Sequence, residues 1–127
     1  MTRHRRNDMP RRAAVAAAIT LAIVFPACGG DGEAPPCEDP QTATTVAMAD
    51  FSYTPSCVEA AAGAQLEVVN EGQAPHTFTI GSGTTDAEVD VAAGERAAFT
   101  VPDIAAGTYR VTCTYHPQME AALRVSG

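Results

Sequence analysis

Four side chains in this sequence have the chemistry to hold one soft metal ion. Near the C-terminus the chain reads Thr112-Cys113-Thr114-Tyr115-His116-Pro117-Gln118-Met119. A thiolate, an imidazole and a thioether recur there at three-residue intervals, so one short loop can wrap all three donors around a single ion. His76 lies 37 residues before Cys113, just after a proline-bearing loop. Two imidazoles and one thiolate suit zinc or copper. A thioether is a soft fourth donor that zinc rarely selects, whereas a trigonal His2Cys site with a weak axial Met is the arrangement of electron-transfer copper. Cu(II) favours a tetragonal geometry and Cu(I) a lower-coordinate one. A rigid frame holding an intermediate geometry lets an electron move with little nuclear rearrangement. Taken singly, each donor has a plainer role. His76 could be a loop histidine and Met119 core filler. Cys113 could be a buried thiol or, with His116, a nucleophile pair. No orienting acid or oxyanion motif accompanies that pair, and the four residues together favour copper over zinc or an empty site.

Such a site needs a frame that brings His76 to the C-terminal loop. From Thr42 onward the chain alternates short β-prone runs with turn signals. Strands are expected at Thr44–Ala49, around Phe51-Ser52-Tyr53 before Pro55, and at Cys57–Ala61, Leu66–Asn70, His76–Ile80, Glu88–Val91, Ala97–Val101, Thr108–Cys113 and Ala122–Val125. Gly63, Gly72, Gly81, Pro102 and Gly107 punctuate them. Many short strands at this spacing, with no long 3.6-residue periodicity and no internal repeat, predict an all-β, Greek-key β-sandwich over residues 42–127. Loops cluster at the ends of a sandwich, which would let His76 meet the later loop.

The first 41 residues read differently. Arg3, Arg5, Arg6, Arg11 and Arg12 precede an apolar run from Ala13 to Phe25. That run has the length of a signal-peptide core and falls short of the ~20 residues that span a bilayer. It ends in Phe25-Pro26-Ala27-Cys28, followed by two glycines. A small residue before a cysteine looks like a bacterial lipobox, although Phe25 stands where Leu is usual. On this reading residues 1–27 are a lipoprotein signal, Cys28 is the lipidation site, and residues 28–41, rich in Gly, Pro, Asp and Glu, form a flexible tether. Arg11-Arg12 leaves the twin-arginine route open beside the general one, and a soluble secreted or periplasmic form is the alternative to the anchored one.

Cleavage before Cys28 would leave 100 residues with three arginines, no lysine and 14 acids, a formal charge of −11. That balance excludes nucleic acid, whose binding requires basic residues to displace counterions. It also disfavours adhesion to anionic lipid, so membrane attachment would come from the lipid chains alone. Export permits disulfides. With Cys28 assigned to lipid and Cys113 to the metal, Cys37 and Cys57 remain as a pair by elimination, and two free buried thiols are the alternative. Their disulfide would close a loop of about 20 residues and stabilise the fold by roughly 3 kcal/mol.

A family resemblance reinforces this reading. Asn70-Glu71-Gly72-Gln73-Ala74-Pro75-His76-Thr77-Phe78 and Cys113-Thr114-Tyr115-His116-Pro117-Gln118-Met119 look like the two ligand loops of cupredoxins. The short second loop is most similar to that of the amicyanin-like and other small plastocyanin-like members. Phe51-Ser52-Tyr53-Thr54-Pro55 and Ala62-Gly63 resemble the framework before the first loop. The resemblance spans residues 42–127. It implies one type 1 copper held by His76, Cys113, His116 and Met119, cycling between Cu(II) and Cu(I) in an electron carrier that is not an enzyme. Thr77 and Thr114 are the residues expected just behind the ligands. Many members have Asn where Thr77 stands, so a single hydroxyl is left to tie the two loops together. The expected partners are redox proteins docking on a monomer near His116, beside the stiff, low-polarity Pro75 and Pro117. The alternative function is extracytoplasmic copper storage or delivery. Against it stands the lack of exposed Met- or His-rich tracts.

Overall fold

The computed structural model describes residues 32–81 and 86–127. The basic start, the apolar run and Cys28 lie outside the described residues. Among those described, ten strands appear and no helix long and apolar enough to cross a membrane. The strands are β1 (Gln41–Thr42), β2 (Thr45–Ala49), β3 (Ser52–Thr54), β4 (Cys57–Ala61), β5 (Gln65–Asn70), β6 (His76–Gly81), β7 (Asp86–Val91), β8 (Arg96–Thr100), β9 (Gly107–Thr112) and β10 (Glu120–Ser126).

They form two mixed sheets, in the orders β1-β4-β10-β9-β6-β7 and β3-β2-β5-β8. The described residues are all-β, as the Greek-key sandwich reading requires. The nine segments expected as strands correspond to β2–β10 with ends shifted by one or two residues, and β1 is the addition. Gln41, the last residue of the stretch read as tether, and Thr42 pair in parallel with Val58 and Glu59 of β4. A two-residue strand has no periodicity to detect, and its partner lies well along the chain.

Alternation explains which faces meet. In β5, Leu66, Val68 and Asn70 point inward while Gln65 and Glu67 face solvent. Val46, Met48, Leu66, Val68, Phe78, Ile80, Phe99, Val111 and Leu123 close the space between the sheets. Phe78 sits at its centre, edge-on to Tyr53 at 5.8 Å and to Phe99 at 4.7 Å between ring centroids. Burying each such ring contributes about 1.5–3 kcal/mol. A disulfide joins Cys37 to Cys57, whose Cα atoms are 5.5 Å apart. It fastens the segment before β1 to the first residue of β4.

Two pairings position the functional end of the molecule. β9 and β10 are antiparallel with Thr112 opposite Glu120, which leaves residues 113–119 as the connecting loop. β6 is antiparallel to β9, with Ile80 opposite Val111 and Thr79 opposite Thr112. Continuing that register brings Thr77 opposite Thr114. The start of β6, carrying His76, therefore lies against the start of the 113–119 loop.

Candidate metal centre

The loop itself is closed by three backbone hydrogen bonds that link the residues proposed to bear ligands. The amide of His116 donates to the Cys113 carbonyl at 3.2 Å, that of Met119 to the His116 carbonyl at 2.9 Å, and that of Cys113 to the Met119 carbonyl at 3.3 Å. Three-residue spacing produces this pattern because each i to i+3 turn returns the chain to the same side. Cys113 and Met119 are buried and His116 is half-buried, with Pro117 exposed beside it.

His76 enters from the other side and is fully buried. Its loop is organised by the buried Asn70, whose amide donates to the carbonyls of Ala74 and Val91, both at 2.8 Å. The Asn70 side-chain oxygen Oδ1 accepts the Gly72 amide at 2.9 Å. Gly72 is also required by close approach. A methyl group there would run into the Asp50 carboxylate and sit 3.0 Å from Nε2 of His76.

Sγ of Cys113 lies 3.8 Å from Nδ1 of His76 and 3.6 Å from Nδ1 of His116. The ligating atoms of these three residues all fall within 4.8 Å of one another. First-row ions bind imidazole at about 2.0–2.1 Å and thiolate at about 2.3 Å. At bond angles near 110–120° those lengths separate nitrogen and sulfur by about 3.6–3.8 Å. The spacing of the two nitrogens from the sulfur therefore fits a single ion between them. With the soft thioether of Met119 buried in the same loop, the donor set fits copper.

The surroundings hold these donors in place. The amide of Thr77 donates to Sγ of Cys113 at 3.3 Å. The Thr77 hydroxyl accepts the Thr114 amide at 2.9 Å and meets the Thr114 hydroxyl at 3.0 Å and that of Thr79 at 2.7 Å. Thr79 and Thr114 both donate onward to Glu88 of β7, at 2.9 and 3.3 Å. The Thr77 hydroxyl thus joins the two loops, and its neighbours extend the link to a third strand. Behind it, the Tyr53 hydroxyl donates to the Thr77 carbonyl at 2.6 Å. Burial, and next the charge at Cys113, push the Tyr53 phenol well above its usual range.

Asp50 and Phe51 touch the site in ways that sequence reasoning does not assign to them. Asp50, between β2 and β3, places Oδ1 3.1 Å from Nε2 of His76 and accepts the Gln73 amide at 3.0 Å. The His76 bond first, and the Gln73 amide next, hold its carboxyl below the ordinary carboxylate range. Phe51 follows with a left-handed φ of 75° and an exposed ring, edge-on to His116 at 5.0 Å. Neither lies near a ligand in the chain, so local spacing carries no sign of them. Tyr115 is exposed and donates to Asp90 of β7, which raises its phenol above the usual value.

Comparison with known proteins follows the same lines. A search of curated proteins gives no match. Amicyanin from Paracoccus versutus (Thiobacillus versutus) superposes with a TM-score of 0.56 and 25% identity, over 70% of this chain and 86% of that one. A purple cupredoxin from Nitrosopumilus maritimus does so with a TM-score of 0.54 and 16% identity, over 65% of this chain and 99% of that one. The copper-containing nitrite reductase of Thermus scotoductus matches at 26% identity and a TM-score of 0.55 over 70% of this chain, which spans 23% of the reductase. The model of the cupredoxin-like domain matches residues 13–125, nearly the whole chain. By that match and by a sandwich that brings a His-Cys-His group together at one end, the chain belongs to the cupredoxin-like family.

Proposed function

We propose that this protein is a one-electron carrier whose His76, Cys113, His116 and Met119 hold a single type 1 copper. The observation that carries the reading is the pair of distances from Sγ of Cys113 to the two imidazole nitrogens, 3.8 and 3.6 Å. Copper, when bound there, supplies the Cu(II)/Cu(I) couple. The chain's own part is to keep the donors still, and the backbone triangle of residues 113, 116 and 119 and the Thr77–Thr114 link supply that rigidity. Burial of Cys113, His76 and Met119 excludes water from three of the four donors. A buried thiol also disfavours a hydrolytic Cys–His pair, which needs an open face toward substrate.

His116 is the half-buried ligand and so the natural edge for electron exchange. The exposed Phe51 ring beside it and the exposed Pro117 offer a low-polarity surface on which a redox partner can dock briefly. The three arginines of the described residues are each engaged by an acid: Arg96 by Glu67, Arg110 by Glu120 and Arg124 by Glu59. The remaining acids leave a negative surface that would steer a positively charged partner. The protein works as a monomer outside the cytoplasm, anchored by lipid on Cys28 with residues 28–41 as the tether. The last part of that tether is held to the sandwich by Cys37–Cys57, and this disulfide supports an oxidising compartment.

The test is the visible spectrum of the oxidised, copper-loaded chain. An intense blue thiolate-to-copper band is expected, and Cys113→Ser should abolish it with the sandwich still folded, because an alcohol is a poor substitute for thiolate. A colourless copper complex of the wild type, or a mutant that stays blue, would overturn the reading.

A further inference from the structure

The corner between β2 and β3 consists of two residues, Asp50 and Phe51, and each touches a different histidine of the centre. Oδ1 of Asp50 lies 3.1 Å from Nε2 of His76, and the Phe51 ring stands edge-on to His116 with centroids 5.0 Å apart. The left-handed backbone of Phe51, φ 75°, is unfavourable for a residue with a side chain. Such a conformation persists where surrounding contacts over-determine it. Here it turns the chain sharply enough for consecutive side chains to reach both imidazoles. The Asp50 carboxylate is itself fixed, accepting the Gln73 amide at 3.0 Å through Oδ1 and 3.2 Å through Oδ2. Gly72 leaves the room that this approach requires.

An ionised carboxylate only accepts hydrogen bonds. The His76 nitrogen facing it therefore carries a proton, and in the neutral ring Nδ1 is the lone pair, 3.8 Å from Sγ of Cys113. His76 is fully buried, so no water competes for either nitrogen. A carboxylate behind a ligating imidazole also makes the ring a stronger donor. A stronger donor favours the more highly charged state of a bound ion.

We propose that Asp50 is the positioning residue of the metal centre: it holds His76 in the Nε2–H tautomer with Nδ1 aimed at the metal, and it lowers the reduction potential by favouring Cu(II). This inference rests on the copper reading for the potential, but the tautomer is a property of the metal-free chain.

The experiment uses the full chain with Asp50→Ala, which removes the acceptor, and Asp50→Asn, which keeps a neutral acceptor of the same shape. Nitrogen-15 NMR of the metal-free protein should show His76 as the pure Nε2–H tautomer in the wild type and in Asp50→Asn. In Asp50→Ala the two tautomers should mix. Titration with Cu(II) should show affinity lowered 10- to 100-fold in Asp50→Ala, the range typical for loss of such a partner. Cu(I) affinity should fall less, so the potential should rise, by about 59 mV for each tenfold difference between the two states. Asp50→Asn should give a smaller rise, since only the charge is lost. An unchanged tautomer in Asp50→Ala would overturn the proposal. So would an unchanged potential in Asp50→Asn, which also serves should the alanine variant fail to fold. A wild type that forms no blue complex would instead remove the copper reading, and the metal-free tautomer would still decide what Asp50 does to His76.

Discussion

The amide of Thr77 points at Sγ of Cys113 across 3.3 Å, so the strand that begins with one ligand also holds the sulfur of another. The contact joins β6 to the 113–119 loop inside the core. The Thr77 hydroxyl doubles the link by accepting the Thr114 amide at 2.9 Å.

Thr77→Ala keeps the amide-to-sulfur bond but deletes that acceptor, leaving the Thr114 N–H without its partner. Losing a part-buried hydrogen bond of this kind costs about 0.5–1.5 kcal/mol. Calorimetry should show the melting temperature of the metal-free protein falling by roughly 4–8 °C per kcal/mol. Thr77→Ser keeps the hydroxyl and should recover most of the loss. Equal melting points for the alanine variant and the wild type would show that the hydroxyl link holds nothing.

Met119→Leu should retain copper, because three donors remain and the buried volume is nearly conserved, at a cost under about 1.5 kcal/mol. Loss of the weak axial donor leaves Cu(II) with less electron density, so voltammetry should record a higher potential. A lower potential would exclude Met119 as the axial group.

Tyr53→Phe removes the 2.6 Å bond to the Thr77 carbonyl and should cost about 1 kcal/mol near neutral pH. The same variant tests the raised Tyr53 phenol. Above the unfolded-state value of about 10, the unfolded chain releases this proton while the folded chain keeps it. Folded protein then binds more protons than unfolded, and stability declines as pH rises past that point. Denaturant titrations from pH 8 to 11 should therefore show a shallower alkaline decline in Tyr53→Phe. Parallel curves for the two proteins would mean the phenol titrates normally.

Cys28→Ser should move the protein from washed membranes to the soluble fraction and leave the copper spectrum untouched. Lipid chains contribute about 0.8 kcal/mol per buried CH₂, and the acidic chain after Cys28 offers no electrostatic substitute. Retention of the variant in membranes would point to an uncleaved signal or a tight partner.

Much of the centre is legible in the sequence because it is local. Cys113, His116 and Met119 recur every three residues, and i to i+3 turns convert that spacing into one concave loop without help from elsewhere. Strand alternation, the acidic balance and the pairing of Cys37 with Cys57 follow equally from residue type and order. Tertiary structure alone decided that Asp50 backs His76, 26 residues away, that Phe51 reaches His116, and that Glu88 completes the Thr77–Thr114 network. It also decided that Gln41–Thr42 would pair with β4. Spacing along a chain states which donors one loop can present, because the turn that joins them is short and stiff. Contacts between separate strands and corners depend on sheet register and on the crossing of two sheets, and a shift of one residue in either would turn every one of those side chains to the opposite face.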